Sequence, residues 1–319
     1  MFKKYFLQIL VVLLLIIIAW FLLLIVDTKN NNKQPIQESI QQTQGDATPL
    51  KLPTVDQVDA VFFPIRNWSI SEPAILAKSA IIVDLNGSNR NNVLFQKNAE
   101  QTLPIASLTK LMTAIIALEN YNPEEIIKVS KDAIETTGSN GGLINGEELK
   151  VKDLLYIMLV ESSNDAAQAM AENSNRIDYD TFIGLMNEKA KELGLNNTQF
   201  VEPIGLDPQN QSTVLEIAKI TEYALKMPLL ANILETSAIT IYSIDKKFIH
   251  NLTSTNKLFC KIPILIGGKT GYTDEAGGCM TTISNINNNY LITVILGSSQ
   301  REEDTSKLIE WSQKAWIWQ

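Results

Sequence analysis

The chain has 319 residues, 45% of them hydrophobic and 19% charged, with a formal net charge of −8. That length is ample for one sizeable core and, as a ratio, compatible with two domains. The acidic balance and the lack of any Lys or Arg run exclude a basic patch for phosphates, so no nucleic-acid partner is expected.

The first predicted element is Tyr5–Val26, YFLQILVVLLLIIIAWFLLLIV, which carries no charge. About 20 apolar residues cross the hydrocarbon core of a bilayer. Lys3 and Lys4 precede the run and favour a cytoplasmic N-terminus. No small-residue cleavage pattern follows Val26, so residues 1–26 read as an uncleaved, single-pass anchor in the lipid bilayer. Everything after it is then expected outside the cytoplasm at the cell membrane. Residues 27–59 are rich in Asn, Gln and other polar residues and lack apolar periodicity. Such a segment cannot bury enough surface to offset its ordering entropy and reads as a flexible linker. The folded part is expected over residues 60–319.

Within it, Ser79–Leu85 (SAIIVDL) is apolar and β-branched, the turn residues Asn86-Gly87-Ser88-Asn89 follow, and Val93-Leu94-Phe95 resumes the pattern, as in a β-hairpin. Ala106–Asn120 has good helix formers at helical spacing, with Pro104 just ahead. Val151–Leu159, Ala166–Glu172, Tyr179–Leu193 and Val214–Leu225 also read as helices. Ile262–Ile266, Gly278–Ser284 and Tyr290–Leu296 read as short strands, and Ser306–Trp318 as a last helix. Strands at both ends with helices between them predict one α/β domain whose terminal strands share a sheet.

Cys260 and Cys279 read as two isolated thiols, with a disulfide between them in an oxidising compartment as the alternative, since sequence alone gives no pairing geometry. A zinc site needs three or four clustered ligands and is not expected. His250 is the only histidine. No G-x-S-x-G elbow, H-E-x-x-H or phosphate-binding glycine loop accompanies it, so it reads as structural.

Three short motifs carry chemistry. Ser107-Leu108-Thr109-Lys110 opens the strongest helix, and residues three apart share a helix face. A serine hydroxyl needs a neighbouring base, and a lysine can be that base only when burial or a nearby cation makes it neutral. The plain alternative is a capping serine and a solvated lysine. Ser162-Ser163-Asn164 interrupts two apolar helical runs. Ser162 can relay a proton and Asn164 can bond a substrate amide, or Ser163 or Asn164 can simply cap the next helix. Lys269-Thr270-Gly271 ends the run IPILIGGKTG. Lys269 and Thr270 suit a substrate carboxylate, and Gly271 leaves room for close approach. A turn between strands is the alternative.

In this order the motifs resemble the S-x-x-K, S-D-N and K-T-G set of penicillin-binding proteins and class A β-lactamases. Ser163 stands where that set has Asp. From about Ala77 to Trp311 the chain resembles the D-alanyl-D-alanine carboxypeptidases, through LPIASLTKLMTA, SSNDAAQAMA, MNEKAKELGLNNTQFVEPIGLD and GGKTGYTDEAGGCM. The third stretch, ending in Pro203-Ile204-Gly205-Leu206-Asp207, is the most telling.

The resemblance implies a β-lactamase/transpeptidase-like α/β fold. Its antiparallel sheet comes from the chain termini and is flanked by helices, with a helical subdomain alongside. It implies that Ser107 is acylated with Lys110 as its base and Ser162 as a catalytic partner. Asn164, Lys269, Thr270 and Gly271 would bind substrate, and the N–H groups of Ser107 and Tyr272 would form an oxyanion hole. Arg301 would help bind the substrate carboxylate. Peptidoglycan stem peptides are then the substrate, β-lactam antibiotics are covalent inhibitors, and no cofactor is implied. Many relatives carry a C-terminal β-domain and a C-terminal anchor, whereas an N-terminal anchor is expected here.

Endopeptidase or transpeptidase action on the same peptides uses the same residues. A class A β-lactamase would need a water-activating glutamate. Glu192-Leu193-Gly194-Leu195-Asn196 matches its pattern but falls in an amphipathic helix end. A non-catalytic peptidoglycan-binding module would have no use for an activated serine.

Overall fold

Ser79–Asp84 (β1) and Val93–Lys97 (β2) pair antiparallel, Ala80 facing Lys97 and Ile82 facing Phe95, which is the expected hairpin. The computed structural model describes residues 64–86, 93–172 and 177–318. The expected anchor, the linker and the turn of this hairpin lie outside those residues. Among the described residues no helix is long and apolar enough to cross a membrane.

The helices follow in the expected places. A 3₁₀ turn, Ala106–Leu108, leads into Thr109–Asn120 (α1). Val151–Val160 (α2) and Asn164–Ala171 (α3) flank the second motif, and Tyr179–Glu192 (α4) and Val214–Leu225 (α5) come next. Pro228–Leu234 (α6) is an additional helix that begins on its proline, a residue suited to a first helical position.

Three strands and a helix close the chain: Leu265–Thr273 (β3), Gly277–Ile286 (β4), Asn289–Ser298 (β5) and Arg301–Ala315 (α7). The strand expected over Ile262–Ile266 is corrected. The chain turns through Pro263 and the strand runs from Leu265 past Gly271. The last helix also starts earlier than expected, because the acidic first turn Glu302, Glu303 and Asp304 complements the helix dipole. It stops at Ala315, where Trp316–Ile317 pairs with Ile65–Arg66 instead.

The sheet has five strands in the order β3-β4-β5-β1-β2, all antiparallel. Side chains alternate between its faces. Ile81, Ile283, Ile292, Val294 and Leu296 join the large core formed with α1 to α6. Ala80, Ile82, Phe95, Met280, Leu291 and Ile295 join a second core with Leu308, Ile309 and Trp311 of α7. Both faces are covered, so the strands read as continuous apolar runs. α1 is buried around most of its circumference, from Thr109 to Ala117. β3 is the sheet's edge strand and lies against the 3₁₀ turn that begins α1.

Candidate active site

Ser107 sits in the 3₁₀ turn, not in the first turn of the α-helix as expected. The reason is Ala106, whose φ of 47° no regular helix allows and which an L-residue adopts only under constraint. Two glycines supply that constraint. A Cβ on Gly205 (φ 95°) would lie 2.0 Å from Ala106 O, and one on Gly271 would lie 2.9 Å from Ser107 N. The chain therefore passes between two backbones that touch it directly. Thr109 Oγ1 donates to Ala106 O at 2.8 Å, and Ile105 N donates to Asn210 O at 3.1 Å. Ser107 is left half-buried and reachable.

Lys110 is wholly buried, and its Nζ lies 2.8 Å from each of Ser107 Oγ, Asn164 Oδ1 and Ile204 O. Burial lowers this amine to about 7, against the opposing pull of Glu202 and Asp165. A large fraction is then neutral near neutral pH. A neutral amine has two N–H groups and one lone pair. The Asn164 and Ile204 carbonyl oxygens can only accept, so they take both N–H groups. The lone pair is left facing the Ser107 hydroxyl, which is the arrangement of a general base.

The second motif caps the next helix, as one reading of it expected, and also brings Ser162 and Asn164 beside the two buried lysines. Ser162 takes a left-handed φ of 64°, which ends α2 and turns its hydroxyl to Lys269, whose Nζ donates to it at 2.7 Å. Ser163 caps α3 by accepting from Ala166 N at 3.0 Å and also bonds Asp165. Asn164 is anchored through its Nδ2 to Thr137 O at 2.7 Å and through its N to Ser139 O at 2.6 Å.

Lys269 is buried on β3. Its burial, with the Lys110 and Arg301 charges, holds it well below the ordinary lysine range. It also donates to Thr270 O at 2.8 Å, and Thr270 Oγ1 lies 2.6 Å from Thr255 Oγ1. Arg301 Nη1 donates to Gly271 O at 2.9 Å and the side chain pairs with Glu302, which places the guanidinium at the far end of the same strand. Gly271 packs on the Ser107 turn, so the backbone of Tyr272 follows directly. Its ring points outward, 63% exposed, with the hydroxyl on Asp274. The expected residues are thus joined by direct contacts: Lys110 reaches Ser107 and Asn164, Lys269 reaches Ser162, and Arg301 bonds the Gly271 carbonyl.

Sequence reading missed four positions. Glu202 gathers the N–H groups of the Pro203–Asp207 loop, Asn210 ties that loop to Ile105, Asp165 holds Gly141 and Leu143, and Thr255 backs Thr270. Only Glu202 left a signal, a carboxylate just before a Pro-x-Gly turn.

Elsewhere, His250 is structural as expected, its Nε2 2.7 Å from buried Glu147. Cys260 is exposed and Cys279 buried, and neither forms a disulfide. Glu192 pairs with Lys189 at the exposed end of α4, as expected of a solvated residue.

The sequence profile of the D-alanyl-D-alanine carboxypeptidases matches residues 66–300. A D-alanyl-D-alanine carboxypeptidase of Bacillus subtilis (strain 168) is 34% identical over 252 residues, covering 76% of this chain and 63% of that protein. A D-alanyl-D-alanine endopeptidase of Escherichia coli (strain K12) is also 34% identical, over 76% of this chain and 78% of that protein. Among solved structures, the DD-transpeptidase of Streptomyces K15 superposes with a TM-score of 0.70 at 28% identity. The match covers 76% of this chain and 98% of that one.

Proposed function

The chain belongs to the D-alanyl-D-alanine carboxypeptidase family of serine peptidases, and on that premise we propose that it removes the terminal D-alanine from peptidoglycan stem peptides through an acyl-enzyme on Ser107. The observation that carries the reading is the set of three contacts around Lys110, which leaves its lone pair for the Ser107 hydroxyl.

Lys110 takes the Ser107 proton as Oγ bonds the carbonyl carbon of the penultimate D-alanine. The oxyanion is met by the N–H groups of Ser107 and Tyr272. The C–N bond then breaks, and the departing amine takes a proton passed back from Lys110 or through Ser162. Water attacks the ester and restores Ser107. Lys269 and Thr270 hold the terminal carboxylate, with Arg301 adding charge. β-lactams acylate the same serine. Tyr5–Val26 anchors the protein in the bilayer with this domain on the extracytoplasmic side.

The test incubates the detergent-solubilised protein with a peptide ending in D-Ala-D-Ala and assays free D-alanine, with Ser107→Ala in parallel. Release by the parent alone supports the reading, and release by neither overturns it for that substrate. The Escherichia coli relative's name favours a second reading, endopeptidase action, which the same assay on a cross-linked dimer of such peptides would report.

A further inference from the structure

We propose that Glu202 is a positioning residue for acylation: its carboxylate fixes the carbonyl that aims Lys110 at Ser107 and supplies the counter-charge to that buried amine. This rests on the reading of Lys110 as the base.

The geometry begins with the Pro203–Asp207 loop. Glu202 Oε2 accepts from Ile204 N at 2.6 Å. Its Oε1 accepts from Gly205 N at 2.6 Å, Leu206 N at 2.9 Å, Asp207 N at 3.3 Å and Asn210 Nδ2 at 2.7 Å. Consecutive N–H groups converging on one carboxylate form a nest.

One peptide unit links this nest to the base. The Ile204–Gly205 peptide is trans, so its N–H and C=O point in opposite directions. Its N–H is held by Glu202, and its C=O therefore faces away, 2.8 Å from Lys110 Nζ. The same unit carries the Gly205 backbone that presses on Ala106 O. Glu202 thus orients an acceptor for Lys110 and braces the turn that bears Ser107. Thr113 Oγ1, one turn along α1 from Lys110, donates to Pro203 O at 2.6 Å and pins the loop's other end.

The charges around Lys110 come from three directions. Asp165 at the start of α3 opposes the loss of its proton, as Glu202 does. Asp165 is also engaged by Gly141 N, Leu143 N, Ala166 N and the Ser163 hydroxyl. On β3, Lys269 feels the Lys110 charge, and Arg301 acts on Lys269 as well. Tyr179 faces Glu202, but its phenol is pushed up to about 12 and stays neutral. A base that burial alone would make too weak keeps enough basicity to take a serine proton.

The experiment measures the second-order acylation rate with a fluorescent penicillin from about pH 5 to about pH 9 for the full chain in detergent. The parent, Ser107→Ala, Glu202→Gln and Glu202→Asp are compared, with melting temperatures alongside. Loss of the negative charge makes Lys110 easier to deprotonate. The acid limb of Glu202→Gln is therefore expected about one pH unit below the parent's, and its plateau about tenfold lower because the carbonyl is less firmly held. Glu202→Asp keeps the charge, so its limb stays with the parent's while its plateau falls. A residue that merely braced the loop would lower both plateaus and move neither limb, and that result overturns the proposal. Comparing Glu202→Asp with Glu202→Asn repeats the charge test within one shorter side-chain shape, so a misfolded Gln variant still leaves a decision. Equal labelling of Ser107→Ala would instead overturn the reading of the nucleophile, and this inference with it.

Discussion

Lys269 Nζ lies 2.7 Å from Ser162 Oγ, joining the sheet's edge strand to the turn between α2 and α3. This contact ties β3 directly to the helical side of the site. It also leaves a buried amine at the place assigned to an anionic end of substrate. Lys269→Met should therefore raise KM for a D-Ala-D-Ala peptide about tenfold to a hundredfold, since a hydrogen bond to a charged carboxylate is lost. Steady-state kinetics of the purified variant checks it. An unchanged KM would remove Lys269 from substrate binding.

The Lys110 value of about 7 fixes a direction for catalysis. The base works when neutral, so acylation should rise as pH climbs through about 7 and level off above it. Lys110→Arg keeps a positive charge that never deprotonates and should lower acylation by about a thousandfold across that range. A variant with the parent's rate would identify another base.

The same lysine makes a prediction about stability. Its folded value lies below the ordinary lysine value of 10.5, so between about 7 and 10.5 the unfolded chain binds more protons than the folded one. Stability tied to this group therefore rises with pH across that window, and below about 7 its full cost remains. Lys110→Met should raise the melting temperature at pH 6 relative to the parent and narrow the difference by pH 10. Calorimetry at the two pH values tests the sign.

Gly205→Ala places a Cβ 2.0 Å from Ala106 O on a backbone at φ 95°. Overpacking against backbone typically costs ~1–3 kcal/mol, and the strained φ adds to it. The expected outcome is a lower melting temperature together with acylation at least ten times slower, because the displaced turn carries Ser107. Gly271→Ala meets Ser107 N at 2.9 Å and the Ala106 side chain at 3.1 Å. It should slow acylation with a smaller loss of stability.

Thr255 supports Thr270 at 2.6 Å. Thr255→Val keeps the shape and removes the hydroxyl, so KM for the peptide should rise several-fold with kcat nearly unchanged, about 1 kcal/mol of binding. An equal fall in kcat would place Thr255 in the chemical step instead.

Much of the fold could be read from the sequence because its cues are local. The SAIIVDL hairpin strand, the capped helices and the apolar α1 each announce themselves within a dozen residues. The departures arise where distant contacts override those cues. Ala106 looks like helix, yet Gly205 and Gly271, one in a loop and one on the edge strand, force it out of helical geometry. Ser306–Trp318 reads as helix to its end, but Trp316 and Ile317 find Arg66 and Ile65 as strand partners. The site shows the same division. Ser107, Lys110, Ser162, Asn164, Lys269 and Thr270 stand in recognisable motifs, and their convergence was implied by resemblance. Asn210 and Thr255 act on residues distant in the chain, and single residues of those types carry no pattern of their own, while Glu202 shows only as a carboxylate before a Pro-x-Gly turn.

The sheet order has a consequence for how the protein is made. β1 pairs with β5, Ser79 opposite Leu296, so the hairpin at the start of the domain has no partner until nearly the whole chain has been synthesised. The segments that carry Ser107 and Ser162 emerge long before β3 can press on them. Pairings this distant in sequence form slowly, and the unpaired strand edge is exposed meanwhile. The ability to react with penicillin should therefore be acquired in one late step, after Leu291–Leu296 emerges, and ribosome-bound chains ending before that strand should remain unlabelled however long they are held.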